Sequence, residues 1–265
     1  MPGESGWMVP DWPAPAGIRA VFTTRAGPAG TQGASRAPWD QFNLGDHVGD
    51  DATAVAANRQ ALGQFLSARP VFLEQVHGTA VARLARDTPH GTQADAAVTA
   101  DHDLACTVMV ADCLPVLLTD AFGAAIGAAH AGWRGLLAGV LENTLDAFRA
   151  QAGVDSSGVM AWLGPCIGPR AFEVGPEVRE AFIALDAGAS ACFRPHANGK
   201  YLADLSALAR RRLGARGVTQ VFGNDGGQQW CTVSRPELFF SYRRDQGTLG
   251  GTGRMAACIW RAGEG

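Results

Sequence analysis

The sequence predicts an α+β fold in one domain, with mixed or antiparallel sheets flanked by helices rather than a doubly wound parallel sheet. Three observations lead there. Short β-leaning runs follow one another between Val71 and Ala129 with no helix among them, which suits antiparallel or mixed pairing. Apolar residues recur at helical spacing in only four stretches, at 54–68, 136–150, 177–185 and 202–213. The 34 glycines and 14 prolines lie singly between apolar runs, as turn punctuation and not as a low-complexity block. A chain of 265 residues that is 47% hydrophobic can bury a large core, and it shows no internal repeat.

Taken in order, residues 1–17 are Pro-rich and read as irregular. Ile18 to Thr24 is a strand, and Arg25 to Asp40 a Gly/Pro/Ala/Ser loop too polar and broken to pack. The segment FNLGDHVGDD, Phe42 to Asp51, carries turn glycines and ends on Asp51, placed to cap a helix over Ala54 to Ala68 with its carboxylate. Short strands at Val71–Glu74 and Ala80–Leu84 flank the turn Gln75-Val76-His77-Gly78, so His77 sits where side chains are positioned more than packed. Strands follow at Asp95–Thr99 and Leu104–Val110. Pro115–Thr119 and Ala124–Ala129, joined by Asp-Ala-Phe-Gly, read as a β-hairpin.

If Thr119 faces Ala124 across that link, Cys113 lies directly opposite His130, within reach of a shared metal ion. A helix of about four turns is expected over Leu136–Ala150, entered through the tight turn at Gly132 and Gly135. That puts His130 near the helix's positive end, with Trp133 and Arg134 either hinge packing and surface charge or the wall and anion clamp of a pocket. Val159–Leu163 is a strand leading into the rigid loop GPCIGPRAFEVG, where Cys166 reads as packing and Glu173 as strand-face solvation or a site group. Helices are expected over Glu177–Leu185 and Leu202–Leu213, the second with a solvated basic stripe, Arg210 to Arg212. Strands at Val218–Phe222, Leu238–Tyr242 and Met255–Trp260 complete the chain, with Arg243 and Arg244 at a strand end suited to bidentate anion binding.

Composition removes several function classes. A net charge of −3 with 18% charged residues offers no basic field for nucleic acid. No apolar run reaches the length of a membrane span, and MPGESGWMVPDWPAP lacks the basic and apolar regions of a secretion signal, so the expected setting is the cytoplasm with reduced thiols. The six cysteines form no C-x-x-C pair. The P-loop, G-x-G-x-x-G, G-x-S-x-G and H-E-x-x-H motifs are missing, and Pro169 stands where the P-C-x-x-C of nucleobase deaminases needs its second cysteine.

What remains is His77, Cys113 and His130. Two nitrogens and one thiolate leave a tetrahedral zinc with one open position, the pattern of a catalytic site. The same residues also permit a cysteine nucleophile, Cys113, with His130 as its base. Asp112 beside the thiol either orients an imidazole or caps the turn. Six histidines, none at H-x-H spacing, provide poorly for a cluster of copper ions, so Cu2+ is the less expected metal.

With these residues assembled, the chain resembles the YfiH-like, laccase-domain or polyphenol oxidase family. The likeness runs nearly end to end through FNLGDHVGDD, Asn58-Arg59, LEQVHG, ADAAVT, ADCLPVLLTD, AAHAGWRGL, GPCIGPRAFEVG, Cys231-Thr232, FFSYRRD and the TGR of 252–254. It implies a single α+β domain of two packed mixed sheets covered by helices, in helix, sheet, sheet, helix layers, and a zinc site at His77, Cys113 and His130. It also implies a purine nucleoside enzyme that phosphorolyses adenosine, inosine, guanosine and methylthioadenosine and deaminates adenosine. Its copper-laccase label sits badly with the histidine count. The loop RAGPAGTQGAS lacks the family's Gly-Gly and DQGTLGGTGR is longer than usual; both are expected to edge the pocket.

The leading expectation is therefore a zinc-dependent purine nucleoside phosphorylase with adenosine deaminase activity, taking a purine nucleoside and phosphate and neither nucleic acid nor membrane. The catalytic residues would be Cys113, His130 and His77. Arg59 or Arg243 would hold phosphate, and Asn43, Gln75 or Glu173 the ribose or base. One alternative is a peptidoglycan-editing amidase that removes L-serine from UDP-MurNAc-L-serine. Another is a nucleotide- or protein-binding module that turns nothing over.

Overall fold

The computed structural model describes residues 6–28 and 31–263. Two mixed sheets dominate. A four-stranded sheet runs in the order Ile18–Phe22, Met255–Arg261, Leu104–Val110, Arg69–Val71, and a six-stranded sheet in the order Gln220–Gly223, Val159–Leu163, Leu114–Asp120, Ile126–Ala131, Ala96–Thr99, Val81–Arg83. Each combines antiparallel neighbours with parallel pairings at its edges, 69–71 on 104–110 in the first and 220–223 on 159–163 in the second.

Strand alternation explains the layers. Along Leu114–Asp120, Leu114, Val116 and Leu118 enter one apolar core and Leu117 the other, because successive side chains leave opposite faces. The first core lies between the six-stranded sheet and the helices Val140–Ala152, Pro176–Leu185 and Leu205–Ala215. The second, with Phe22, Cys106, Val108, Leu117, Ile126 and Trp162, fills the space between the sheets. A third packs Leu62 and Leu66 of the Ala52–Leu66 helix against Val21, Met109 and Cys258 on the outer face of the four-stranded sheet. The order is helix, sheet, sheet, helix, as the resemblance implied.

Several local expectations need correction. The hairpin pairs Thr119 with Ile126 and Pro115 with His130, so its register is two residues away from the one that sets Cys113 opposite His130. A two-residue slip preserves the face, and Cys113 remains a diagonal neighbour of His130. The cause is Asp120, whose buried carboxylate accepts from the amides of Phe122 (2.8 Å) and Ala125 (3.2 Å) and closes a longer loop than the four residues first supposed. The 136–150 helix is two helices, Trp133–Ala138 and Val140–Ala152, divided at Gly139, whose φ of +103° breaks the helix. Residues 242–249 form a helix where a strand end was expected. Ser241 accepts from the Arg244 amide while Asp245 accepts from the Ser241 amide, a reciprocal cap.

The Arg210–Arg212 stripe is solvated only in part: Arg211 is exposed and pairs with Asp186, whereas half-buried Arg210 donates to the carbonyls of Val221 and Asn224 and half-buried Arg212 pairs with Glu142. The polar 25–40 loop, of which 29 and 30 lie outside the described residues, is held by the buried amide of Asn58, bonded to the Ala34 amide, the Ser35 hydroxyl and the Asn43 carbonyl. Of the N-terminal segment, 1–5 lie outside the described residues; Trp7 is fully buried and Met8 bridges Phe22.

Asp120 sets the hairpin register, so Asp120→Ala should lower stability by roughly 2 kcal/mol in urea unfolding, because it strands a buried amide. A loss under about 0.5 kcal/mol, the range of an inert surface change, would show that the loop closes without it.

Candidate metal centre

The link Ala111–Cys113 carries the chain from the four-stranded sheet, at the end of Leu104–Val110, to the six-stranded sheet, at the start of Leu114–Asp120. Asp112 within it adopts φ +86°, a left-handed conformation that costs a non-glycine residue about 1 kcal/mol or more and persists only when the surroundings hold it. Its carboxylate accepts from the Thr232 hydroxyl (2.5 Å) and the Arg243 amide (2.6 Å), and its carbonyl from the Ile167 amide. Asp112 is thus the anchor of the turn and no imidazole bonds to it. The anchoring presents Cys113 on the inter-sheet face, beside His130 on Ile126–Ala131.

The residue that orients the imidazoles is Asp95, which the sequence did not single out. Its fully buried carboxylate accepts from Nδ1 of His130 (2.8 Å) and from the amides of Val76 (3.2 Å), His77 (2.9 Å) and Gly78 (2.6 Å). One carboxylate thereby fixes the His130 ring and the turn that carries His77, itself left-handed at φ +59°. Burial alone would push the Asp95 carboxyl up, but His130 and the backbone donors outweigh it and hold it below the ordinary carboxylate range.

His77, Cys113 and His130 each offer a ligand atom, all within 4.8 Å of one another, with Sγ of Cys113 3.8 Å from Nε2 of His77. A tetrahedral zinc holds such atoms roughly 3.3–3.7 Å apart, so the donors fit one ion after a small contraction. Gly132 makes the closeness feasible: a Cβ there would lie 2.8 Å from Sγ of Cys113 and 3.0 Å from the His77 ring. Among the described residues this is the one His/Cys/carboxylate group that could hold a metal ion. It is one site and not a cluster, so a multi-copper arrangement does not fit the donors present. Without metal, burial works against charge on both partners, yet the facing His130 brings the Cys113 thiol down to about 6 while the thiolate and Asp95 raise His130 to about 9. The pair thus favours the thiolate of Cys113 and the protonated form of His130 when no metal is bound.

The centre opens into a cleft of about 510 Å³, within the range of small-molecule sites. Trp133, Phe172, Ile167 and Tyr242 supply apolar wall, and Arg134 lies over the Trp133 ring at 4.5 Å, so both residues of that uncertain pair belong to the pocket. Gln75 and Arg243 also line it, but the Gln75 amide is paired with the backbone of Met109 at 2.8 and 2.7 Å. Asn43, Arg59 and Glu173 do not line it. Asn43 is buried and bonded to Gly45, Asp50 and the Arg254 amide; Arg59 pairs with Asp46 and the Leu44 carbonyl; Glu173 is held by Lys200 at 2.6 Å. Arg244, its expected partner role lost, ties Asp245 to the carbonyls of Thr232 and Phe239. Cys166 is buried, as packing. His47 and Arg254, carried by FNLGDHVGDD and TGR, line the cleft, whereas the described part of the 25–35 loop does not.

Two measurements probe this centre. Asp95→Asn should weaken zinc binding by about 10–100-fold in competition with a chromophoric chelator, the usual cost of losing a carboxylate behind a ligating histidine; unchanged affinity would remove Asp95 from the site. In metal-free protein, iodoacetamide alkylation of Cys113 should rise as pH passes about 6, and His130→Gln should move that rise upward towards the ordinary thiol range near ~8.5. A rise already near that range in the native chain would contradict the thiolate–imidazolium pair.

Comparison with known proteins agrees with this architecture. Residues 19–262 match the family described as multi-copper polyphenol oxidoreductase laccase. A Pseudomonas aeruginosa protein named purine nucleoside phosphorylase is 51% identical over 97% of this chain and 98% of its own, and the Escherichia coli purine nucleoside phosphorylase YfiH is 49% identical over 96% and 98%. A Neisseria meningitidis crystal structure superposes with a TM-score of 0.88 at 44% identity, covering 97% of this chain and 99% of that one, and YlmD from Geobacillus stearothermophilus with 0.83 at 31%, covering 94% and 93%. The chain belongs to the family described as multi-copper polyphenol oxidoreductase laccase, whose YfiH-type members are its relatives.

Proposed function

We propose that the protein is a zinc-dependent purine nucleoside phosphorylase that also deaminates adenosine. The observation that carries this is the His77, Cys113 and His130 group at the floor of a cleft with aromatic walls and arginines, in a chain whose relatives bear the phosphorylase name. In phosphorolysis a phosphate oxygen bonds to C1′ of the ribose as the C1′–N9 bond breaks and the purine leaves with the bonding pair. The apolar wall of Trp133, Phe172 and Tyr242 suits a purine face. Of the arginines first considered for phosphate, Arg243 is the one at the cleft. His77, Cys113 and His130 would hold the zinc, which would supply a Lewis acid to offset negative charge on a reacting group. Asp95 keeps Nδ1 of His130 occupied, which leaves Nε2 as the nitrogen that would ligate a metal. All six cysteines are free, in keeping with a cytoplasmic setting.

Purified protein given adenosine and phosphate should form ribose 1-phosphate and adenine, and form inosine and ammonia without phosphate. Cys113→Ala should lose both products while still unfolding cooperatively. No phosphate-dependent product from the native chain would sink the phosphorylase reading. Release of L-serine from UDP-MurNAc-L-serine instead would favour the amidase, and nucleotide binding with no turnover the binding module.

A further inference from the structure

Arg254 is the group in the cleft whose place the proposed function leaves unexplained. Among the described residues its guanidinium makes hydrogen bonds from Nη1 alone, to the carbonyls of its own neighbours, Thr252 at 3.3 Å and Gly253 at 3.2 Å. Among the described residues no carboxylate forms an ion pair with it, and Nε and Nη2 have no acceptor. The half-buried guanidinium thus keeps Nε and Nη2 free to donate a charge-assisted pair of bonds to an anion in the cleft.

The chain nevertheless builds the position with care. Oδ1 of Asn43 accepts from the Arg254 amide (2.8 Å) and from the Gly45 amide (2.9 Å), while Nδ2 of Asn43 is fixed by Asp50 and the Gly45 carbonyl. The Leu44 amide closes back onto the Arg254 carbonyl. Gly45 then leaves room for the arginine stem, since a Cβ there would lie 2.7 Å from Cγ of Arg254. The FNLG and TGR motifs thus cooperate to hold one side chain. The surrounding field agrees. Arg134 and Arg243 also line the cleft without an ion pair, and the lone acidic side chain in its lining, Asp112, already has both oxygens bonded. Arg243 is exposed and engaged by the Glu173 carbonyl, which leaves Arg254 as the deeper donor.

We propose that Arg254, seated by Asn43 and Gly45, is the residue that holds a phosphate group beside the His77, Cys113 and His130 centre. The planar fork of an arginine matches two phosphate oxygens at once. The phosphate is either the inorganic acceptor or an ester on the nucleoside; the first rests on the phosphorolysis reading, the second does not.

Calorimetric titration of the protein with inorganic phosphate, and separately with adenosine 5′-monophosphate, tests this without turnover. Arg254→Gln should weaken binding of whichever anion the native chain takes by about tenfold or more. Gly45→Ala, which keeps the arginine but pushes its stem aside, should weaken the same anion. Arg254→Lys, which keeps charge and stem, should recover only part of the affinity, and its cooperative unfolding guards against a folding defect in the Gln variant. Loss confined to inorganic phosphate marks the acceptor, and loss confined to the monophosphate marks the ester. Native protein that binds neither anion, or Gln and Ala variants that both bind within about twofold of native, would overturn the assignment. Phosphate binding without ribose 1-phosphate formation would instead sink the phosphorolysis reading and leave Arg254 in place.

Discussion

The buried carboxylate of Asp95 is the constraint on which the rest of the site depends. A charge fully removed from water costs several kcal/mol unless every lone pair finds a donor. Here three successive backbone amides from one loop and one imidazole from a strand supply them. The charge that pays the burial cost of the carboxylate also decides where two side chains point. The left-handed turn at His77 and the ring of His130 share that one partner. The two imidazoles lie with ring centroids 4.8 Å apart.

The third member arrives by topology. The chain leaves the four-stranded sheet at Val110 and enters the six-stranded sheet at Leu114, and Cys113 is the last residue of that crossing. The cleft lies at this crossing, lined by Val110, Ala111, Asp112 and Cys113. Small residues keep it open. Gly132 leaves space for the thiol and the His77 ring, and a Cβ at Gly135 would meet the Gly78 carbonyl at 2.9 Å.

Much of this was legible in the sequence, and the failures have physical reasons. Leu104–Val110 and Val159–Leu163 were read with the bounds the structure shows, because strands buried on both faces are continuous apolar runs. Asp51 capped its helix as expected, accepting from the Ala54 amide. His77, Cys113 and His130 stood out because their residue types are rare and chemically specific. The hairpin register failed because the Asp120 carboxylate extends the backbone turn at Asp120–Gly123 as far as Ala125. The 242–249 helix was hidden by the apolar run before it, and the break at Gly139 by the apolar residues that continue on both sides. Asp95 gave no periodic signal: a lone carboxylate before a strand reads as a turn residue until its four donors are placed around it. Asn43 was read as a ribose or base contact; it lies outside the cleft lining, bonded to Gly45, Asp50 and the Arg254 amide.

The proposed function rests on one metal ion held by two imidazoles and a thiolate. Elemental analysis of the purified native chain beside Cys113→Ala measures it directly. About one zinc and no copper per native chain, with the zinc lost from the variant, is the predicted result. Several copper ions per chain, or a native chain that holds no metal after purification in zinc-containing buffer, would contradict it.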